Sequence, residues 1–474
     1  MVNVQDLPLE LLQDILSFIR NTYDLHEMDD GDGTDDLYNI CLVSQKFREL
    51  AQPLLFRKFP DEEMDGDRCD RDKTICFTKA IYERPELGEH VRHIRIAPLP
   101  VKLKLLYPNM CIEQRHIKFY EGVIKDLQLG DMEKDWIRAM NSNHLCLFIA
   151  LLVNKTPNFR SLYMPVGEST FEPFPYFFRR DPSFLSNLTT VSIEPVDAEI
   201  GYDIKHHREL LSLPKLREVF ICHDVLLDMS FPSIWTPGTL LADTVVFIAC
   251  HLEAGALGKF MRACKSLKTF AYSRSAGVPF RCRDICAPEF NAAQATEEAL
   301  RHKDTLETFN VEFATYRYAH EIENIEEYNS TLVKYGSFAD FSVLKVLDVS
   351  HAYLPAHPQL PASLIKLYIS HCYSPVREMA QNIATDCKKG LYPHLTYMAV
   401  SELQLAAPIK IRGQRDLEYD TPEKCVLSHQ DIFEGTNVKF AILSCRLPPP
   451  GYEDEEEDEE SNNHNYNYDL VDYL

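Results

Sequence analysis

The feature that most constrains this chain is a short apolar phrase that returns along most of its length. Each copy has the form apolar-x-x-apolar-x-apolar. The copies are Val91-x-x-Ile94-x-Ile96, Phe159-x-x-Leu162-x-Met164, Leu188-x-x-Val191-x-Ile193, Leu216-x-x-Val219-x-Ile221, Leu267-x-x-Phe270-x-Tyr272, Leu306-x-x-Phe309-x-Val311, Leu344-x-x-Leu347-x-Val349, Leu364-x-x-Leu367-x-Ile369 and Leu395-x-x-Met398-x-Val400, with a degenerate copy Asp243-x-x-Val246-x-Ile248. Alternation at period two predicts a short strand at every copy.

The spacing of these copies predicts a repetitive fold. From Phe159 to Leu395, successive copies begin 20 to 39 residues apart. The intervening segments 254–264 and 296–303 have helical patterns. A strand, a turn and a helix repeated at this spacing form a solenoid. A doubly wound α/β domain is the alternative, and it is disfavoured because one phrase returns at so many strands.

The first 59 residues have a different pattern, which is typical of helices. Two apolar rows occur at helical spacing: Leu11, Ile15 and Phe18, and Leu12, Leu16 and Ile19. Ser44 is a suitable N-cap for a later helix, and Pro53 is expected to end that helix. A unit of roughly 50 residues has a small interior. One row would fill that interior, so the second row predicts a docking partner.

Three blocks in this segment resemble a known family. They are Leu7-Pro8-x-Glu10-Leu11-Leu12-x-x-Ile15-Leu16, Leu42-Val43-Ser44-x-x-Phe47-Arg48 and Pro53-Leu54-Leu55-Phe56. Together they resemble the F-box, most closely that of filamentous-fungal F-box proteins, although the family often has Trp where Phe47 stands. The resemblance implies a helical bundle that docks on a Skp-type adaptor, and through it on the cullin and RING subunits of a ubiquitin ligase. The implied adaptor contacts are Leu7, Pro8, Ile15, Leu16, Leu42, Val43 and Phe47.

The recurring phrase resembles irregular leucine-rich repeats, which follow the F-box in many such proteins. This resemblance implies an α/β solenoid with parallel strands on its concave face and helices on its convex face. The expected divisions are an F-box at 1–60, a linker and first helix at 61–84, a solenoid at 85–447 with a helical insertion near 102–140, and a disordered acidic tail at 448–474. Residues 453–474 carry ten acidic residues and no Lys or Arg, so repulsion opposes their ordering.

Composition narrows the expected partners and compartment. The net charge of −23 argues against nucleic-acid binding, since phosphates would repel the chain. The start of the chain lacks the pattern of a secretory signal, and the longest apolar run, Leu145 to Val153, is too short to cross a membrane. Fourteen cysteines without framework spacing suit a reducing compartment. We therefore expect a cytoplasmic or nuclear protein without membrane contact.

The motifs of several enzyme classes are missing from the sequence. It has no phosphate-binding G-x-x-x-x-G-K-[ST] loop, no G-x-S-x-G elbow and no H-E-x-x-H pair. Cys282 and Cys286 read as a structural thiol pair, because zinc sites usually show two spaced ligand pairs. His and Cys residues also follow several predicted strands, at Cys222, His223, Cys250, His251, His351, His371 and Cys372. We interpret these as turn residues. The prediction is a non-enzyme without a cofactor or metal.

One loop between two predicted strands is unusually aromatic. It contains Phe171, Phe174, Tyr176, Phe177 and Phe178, followed by two arginines. Aromatic side chains beside Arg are favoured at protein interfaces, which makes this cluster a candidate target-binding surface. The alternative is that the aromatics pack on the solenoid itself.

These observations give two functional expectations. The first is the substrate-recognition subunit of a Skp–cullin–F-box ubiquitin ligase, which recruits an unknown target protein for ubiquitination. The second is an interaction scaffold that binds the adaptor through its F-box without promoting ubiquitination.

Overall fold

The computed structural model describes residues 7–21, 34–59, 70–96, 114–142, 144–166, 171–195, 202–274, 290–312, 330–372, 376–402 and 432–445. In this part, the chain is a mixed α/β protein whose thirteen strands belong to one parallel sheet. The predicted thiol pair of Cys282 and Cys286 and the predicted acidic tail at 448–474 lie outside the described residues.

The strands are β1 (Lys58–Phe59), β2 (His93–Arg95), β3 (Ser161–Val166), β4 (Thr190–Pro195), β5 (Glu218–Cys222), β6 (Val225–Leu226), β7 (Thr244–Leu252), β8 (Thr269–Arg274), β9 (Thr308–Glu312), β10 (Val346–Ser350), β11 (Lys366–Cys372), β12 (Tyr397–Glu402) and β13 (Lys439–Cys445). The α-helices are α1 (Leu9–Asn21), α2 (Thr34–Val43), α3 (Gln45–Leu55), α4 (Asp70–Glu83), α5 (Pro85–Gly88), α6 (Gln114–Asp126), α7 (Glu133–Asn141), α8 (Leu145–Val153), α9 (Phe174–Arg180), α10 (Arg208–Leu211), α11 (Ala254–Ala263), α12 (Ala292–Ala299) and α13 (Val376–Lys388).

The order of strands in the sheet follows their order in the chain. Each strand pairs with its sequence neighbours from β1 to β13, except that β5 pairs directly with β7 and the short β6 pairs with β7 at the side. A doubly wound sheet would reverse this order at a switch point. The ordered progression agrees with the predicted solenoid-like α/β architecture.

The apolar phrases stack in register across the sheet. Residues at the middle apolar position pair with one another, and each is at most 2% exposed: Leu162, Val191, Val219, Phe270, Phe309, Leu347, Leu367 and Met398. The last apolar position forms a second buried column, including Ile193, Val311 and Ile369. Each such side chain contributes roughly 1.5–3 kcal/mol on burial. These columns form the core beneath the sheet.

The degenerate copy of the phrase is displaced by one residue from its predicted position. Val245, and not Val246, pairs with Val219 and Phe270. Phe247 points into the core and packs on Phe260 of α11, with ring centroids 5.1 Å apart. The prediction was wrong because both Val245 and Val246 are buried, so the run gives no period-two signal.

Helices α1, α2 and α3 form a small bundle with a core of its own. The buried residues of that core are Leu12, Leu16, Leu37, Cys41, Leu50 and Ala51. Ser44 caps α3 as predicted, since the Phe47 amide donates to its Oγ at 3.2 Å. Pro53 does not end α3, which continues to Leu55. The Phe56 amide still donates to the Gln52 carbonyl at 3.0 Å, so the last turn survives Pro53.

The bundle joins the sheet through a short packed junction. Only Phe56 and Arg57 separate α3 from β1. The rings of Phe56 and Phe59 lie 5.4 and 4.7 Å from Phe77 of α4. The Arg57 carbonyl accepts hydrogen bonds from the amides of Arg92 and His93 at 2.7 and 3.1 Å. The sheet therefore begins inside the segment 1–60 that the sequence assigned to the N-terminal unit.

Helices α6 and α7, with a 3-10 turn at Gly130–Met132 between them, lie in the predicted insertion between β2 and β3. Tyr120 ties the insertion to the body. Its hydroxyl donates to the Ile75 carbonyl at 2.5 Å, and its ring packs edge-on against Phe148. No single helix in the described part of the chain is long and apolar enough to cross a membrane. The segments Gly130–Asn141 and Leu145–Val153 meet that test only together, bent by 117°.

Candidate partner-binding surfaces

Four of the residues expected to contact the adaptor lie at the bundle surface. Ile15, Leu42 and Val43 are 48%, 60% and 63% exposed, and Pro8 is also exposed. Because α1 is amphipathic and packs on α3 through the opposite row, Ile15 has no apolar neighbour to cover it. Leu42 and Val43 end α2 at the turn that Ser44 caps, which holds both outside the bundle core.

The other three residues of that set are placed differently. Leu16 is only 3% exposed and belongs to the bundle core, so the expectation that it contacts a partner is wrong. The row of Leu12 and Leu16 is the one that faces α2 and α3. Leu7 and Phe47 are partly buried and pack against the same core. They offer a partner only the remainder of their surface.

The apolar surface of the bundle extends beyond the predicted residues. Its exposed large apolar side chains are Leu9, Leu11, Ile15, Phe18, Tyr38, Leu42 and Val43. These are seven of the thirteen such side chains in the described part of the chain, although the bundle is a small fraction of it. The second helical row in the sequence pointed to Leu11 and Phe18. Leu9 and Tyr38 lie off the two rows, and sequence reasoning missed them.

The aromatic segment predicted as a target-binding surface packs on the protein itself. Phe177 is 3% exposed, and Phe171, Phe174, Tyr176 and Phe178 are partly buried against the main core. The buried Trp136 of α7 meets Phe171, Tyr176 and Phe177 edge-on, with centroids 5.6 to 5.7 Å apart. Such pairs stabilise by about 0.5–1.5 kcal/mol each beyond their burial.

Polar contacts fix the same segment to the insertion. The Tyr176 hydroxyl donates to the Leu127 carbonyl at 2.7 Å, and Arg180 donates to the same carbonyl at 2.8 Å. The alternative named for the sequence, packing on the body, therefore describes these five aromatics. They do not form an exposed cluster, because each has a neighbour in the body to cover it.

The His and Cys residues that follow the strands serve the turns between coils. Cys250 donates from Sγ to the Ile221 carbonyl at 3.2 Å, and Cys372 makes the same contact with Ile369 at 3.2 Å. His223 and His371 adopt φ values of 53° and 51°, which few residue types do. No group of three or more His, Cys, Asp or Glu among the described residues could hold a metal ion.

The most shifted titratable groups are buried in the body and do not share one cleft. Burial lowers the pKa of His207 to about 3, and burial with Lys334 nearby lowers the pKa of His351 to about 3. Burial, with Glu312 nearby, raises the pKa of Asp348 to about 7. These side chains are uncharged over much of the pH range in which their free forms carry charge, which suits a structural position.

A scan against models of known protein families finds no match for this chain, and a search of curated proteins finds no similar sequence. The assignment of its parts therefore rests on the placement of its own residues. Two placements matter most: the apolar surface of the bundle and its short junction with the sheet.

Proposed function

We propose that this protein is the substrate-recognition subunit of a Skp–cullin–F-box ubiquitin ligase, acting in the cytoplasm or the nucleus. In this proposal the N-terminal bundle is an F-box that binds a Skp-type adaptor, and through it the cullin and RING subunits. The sheet and its helices are an irregular leucine-rich-repeat solenoid that holds a target protein. The observation that carries the proposal is the exposed apolar surface of the bundle.

The energetics of that surface favour a partner. Monomeric proteins rarely leave contiguous apolar patches open unless they bind something there. Burying one such side chain contributes roughly 1.5–3 kcal/mol before ordering costs. Leu12 and Leu16 already fill the bundle core, so Ile15, Phe18 and Leu42 add nothing to it. Their surface is available for a stable interface.

The junction between bundle and sheet suits a receptor. A ubiquitin ligase acts by holding a target lysine near an activated ubiquitin, and proximity of this kind depends on a defined geometry. The stacked rings of Phe56, Phe59 and Phe77 and the pairing of β1 with β2 give the bundle a fixed attachment. A receptor of this kind needs no catalytic residue or cofactor of its own.

The adaptor proposal is tested with two double variants of the full chain. Ile15→Asp with Leu42→Asp places two charges on the bundle surface, and we expect recovery of a co-expressed Skp-type adaptor to fall at least tenfold. Met229→Asp with Leu391→Asp is the matched control, because both residues are exposed apolar side chains of the body, at 87% and 53%. Adaptor recovery unchanged in a folded Ile15→Asp, Leu42→Asp chain contradicts the proposal.

The same variant separates a receptor from a scaffold. A protein captured with the full chain should have a longer half-life in cells that carry Ile15→Asp with Leu42→Asp, because the target is bound but no longer delivered to the ligase. A captured protein whose half-life is the same with both chains would favour the scaffold, which binds the adaptor without promoting ubiquitination.

A further inference from the structure

A cavity of about 350 Å³ opens at the edge of the sheet where the first strands begin. Its lining is entirely polar and consists of Arg92, Asn158, Arg160, Asn187, Thr189 and Lys215. Three of these six side chains are cationic, and none of the described residues that line the cavity is acidic. In a chain of net charge −23, a cluster of this sign is unusual.

The pairing of successive coils places the cations together. Arg92 comes directly before β2, Arg160 before β3 and Thr189 before β4. The Arg160 amide donates to the Arg92 carbonyl at 2.7 Å, and the Thr189 amide donates to the Arg160 carbonyl at 2.8 Å. Neighbouring strands lie about 4.8 Å apart. The backbone therefore holds two guanidinium groups on adjacent coils despite their repulsion.

The neutral side chains of the cavity are fixed by hydrogen bonds. Asn158 and Asn187 donate from Nδ2 to the carbonyls of Glu89 and Pro157 at 3.0 and 3.1 Å. The Oδ1 of Asn187 accepts from Lys215 Nζ at 2.8 Å. Lys215 is thus held at the cavity by an amide, which leaves its charge without compensation.

Further along the same edge of the sheet, charges are compensated. Asp243, before β7, lies 3.2 Å from Lys268, which precedes β8, and 4.0 Å from Arg217, which precedes β5. Glu307 and Lys345 pair in the same way at 2.5 Å. In contrast, none of the ion pairs in the described part of the chain includes Arg57, Arg92, Arg160 or Lys215. The first coils therefore carry positive charge that no side chain of this protein neutralises.

This arrangement is electrostatically unfavourable without an anion. Burial and the nearby charges of Arg160 and Arg57 lower the pKa of Arg92. A dianion between the guanidinium groups would reverse that repulsion. Arg donates two parallel N–H groups to phosphate oxygens, and Lys supplies a point charge.

We propose that this cavity is a binding site for a phosphate group, held by Arg92 and Arg160 from adjacent coils and by Lys215 at its rim. Its volume lies at the small end of the range for ligand sites, about 300–1,000 Å³. The phosphate could belong to a phosphorylated protein side chain or to a small soluble polyphosphate, since both present the same group. The site goes beyond the adaptor proposal and can be measured on this chain alone.

The test is calorimetric titration of the purified full chain with pyrophosphate. We expect saturable binding that weakens at least tenfold in the variant Arg160→Glu with Lys215→Glu. Both side chains are exposed, whereas Arg92 also donates to the Glu89 carbonyl and is left unchanged to protect the fold. The matched control is Lys303→Glu with Lys366→Glu, which makes the same charge change at exposed lysines of later coils.

Binding within twofold of the unsubstituted chain is expected for this control. Equal weakening in both variants would mean a general charge effect and would overturn the proposal, as would the absence of saturable binding to the unsubstituted chain.

A second pair of probes identifies the source of the phosphate. One is an array of phosphoserine and phosphothreonine peptides with their unphosphorylated counterparts, and the other is inositol hexakisphosphate. Peptide binding that requires the phosphate and is lost in Arg160→Glu with Lys215→Glu assigns the site to a modified protein. Binding of inositol hexakisphosphate alone, with the same loss, assigns it to a soluble ligand. Retention of either probe by that variant contradicts the site.

Discussion

The N-terminal bundle and the sheet both carry apolar residues at regular spacing, but they use them differently. In the sheet, Leu347 and Val349 face inward and are 0% exposed. In the bundle, Leu16 is buried, while its neighbours Ile15 and Phe18 are 48% and 67% exposed. A coil of the sheet has helices and neighbouring coils to cover its inner face. Three short helices have too small an interior to cover two rows.

This difference separates stability from recognition. Apolar residues of the sheet core stabilise the fold, so their loss should unfold the protein. Apolar residues on the outside of the bundle contribute little to folding, so their loss should affect only a partner. Periodicity alone does not distinguish the two roles, because it identifies the element and its apolar face but not what covers that face.

The largest expected effect is a cavity in the sheet core. Phe309 of β9 is 0% exposed, and its ring lies 6.0 Å from Phe270 and 5.9 Å from Phe338. Phe309→Ala should lower the free energy of unfolding by about 3–5 kcal/mol. The control is Phe18→Ala on the bundle surface, which should change it by less than about 0.5 kcal/mol. Denaturant titration measures both, and similar losses would abolish the distinction drawn above.

Two adjacent residues of α1 test the bundle in the same way. Leu16→Ala should destabilise the bundle by about 2–5 kcal/mol, because it opens a cavity between α1 and its neighbours. Ile15→Ala should leave the bundle stable but weaken adaptor recovery. Hydrogen exchange at the amides of α1 and α3 measures the first effect locally. Faster exchange in Ile15→Ala than in Leu16→Ala would mean that the two rows are assigned the wrong way round.

A carboxyl in the sheet gives a pH-dependent exception to the apolar pattern. Burial raises the pKa of Asp348 to about 7, so between about pH 4 and 7 the folded state holds a proton that the unfolded state releases. Stability from this group is therefore fully present below about pH 4 and is lost as pH rises to 7. Asp348→Asn should raise the free energy of unfolding at pH 8 by roughly 1–3 kcal/mol, with little change near pH 4.

Thermal unfolding of both chains at pH 4.5 and pH 8 measures that difference. A difference between the two chains that grows toward low pH would show that Asp348 is ionised in the folded protein.

The smallest expected effect concerns the cap of α3. Ser44→Ala removes the acceptor of the Phe47 amide and should cost about 1 kcal/mol in bundle stability. Ser44→Asp keeps an acceptor and is the matched control. Exchange of the first amides of α3 measures the change, and equal exchange in both variants would mean that the cap contributes nothing.

Much of the fold could be predicted from the sequence because its signals are local. Alternation at period two located the strands, and the return of one phrase predicted consecutive parallel coils. Ser44 was identified as a cap from its residue type and position, since the hydrogen bond spans only three residues. Where both faces of a strand are buried, as at Val245 and Val246, the local signal disappears and the prediction was displaced by one residue.

Tertiary structure decided which surfaces are open. Leu12 and Leu16 rather than Ile15 and Phe18 enter the bundle core because of the way α1 packs on α2 and α3. The aromatics of α9 are covered because Trp136, far away in the sequence, lies against them.

The polar site depends on the same long-range placement. Arg92 and Arg160 lie 68 residues apart in the sequence, and only the pairing of β2 with β3 brings them to one cavity. The sequence by itself determined where the strands and helices begin, since their signals depend on residues a few positions apart. The contacts between coils determined where this protein can meet a partner, because a surface is exposed or covered only by groups that the chain brings together from a distance.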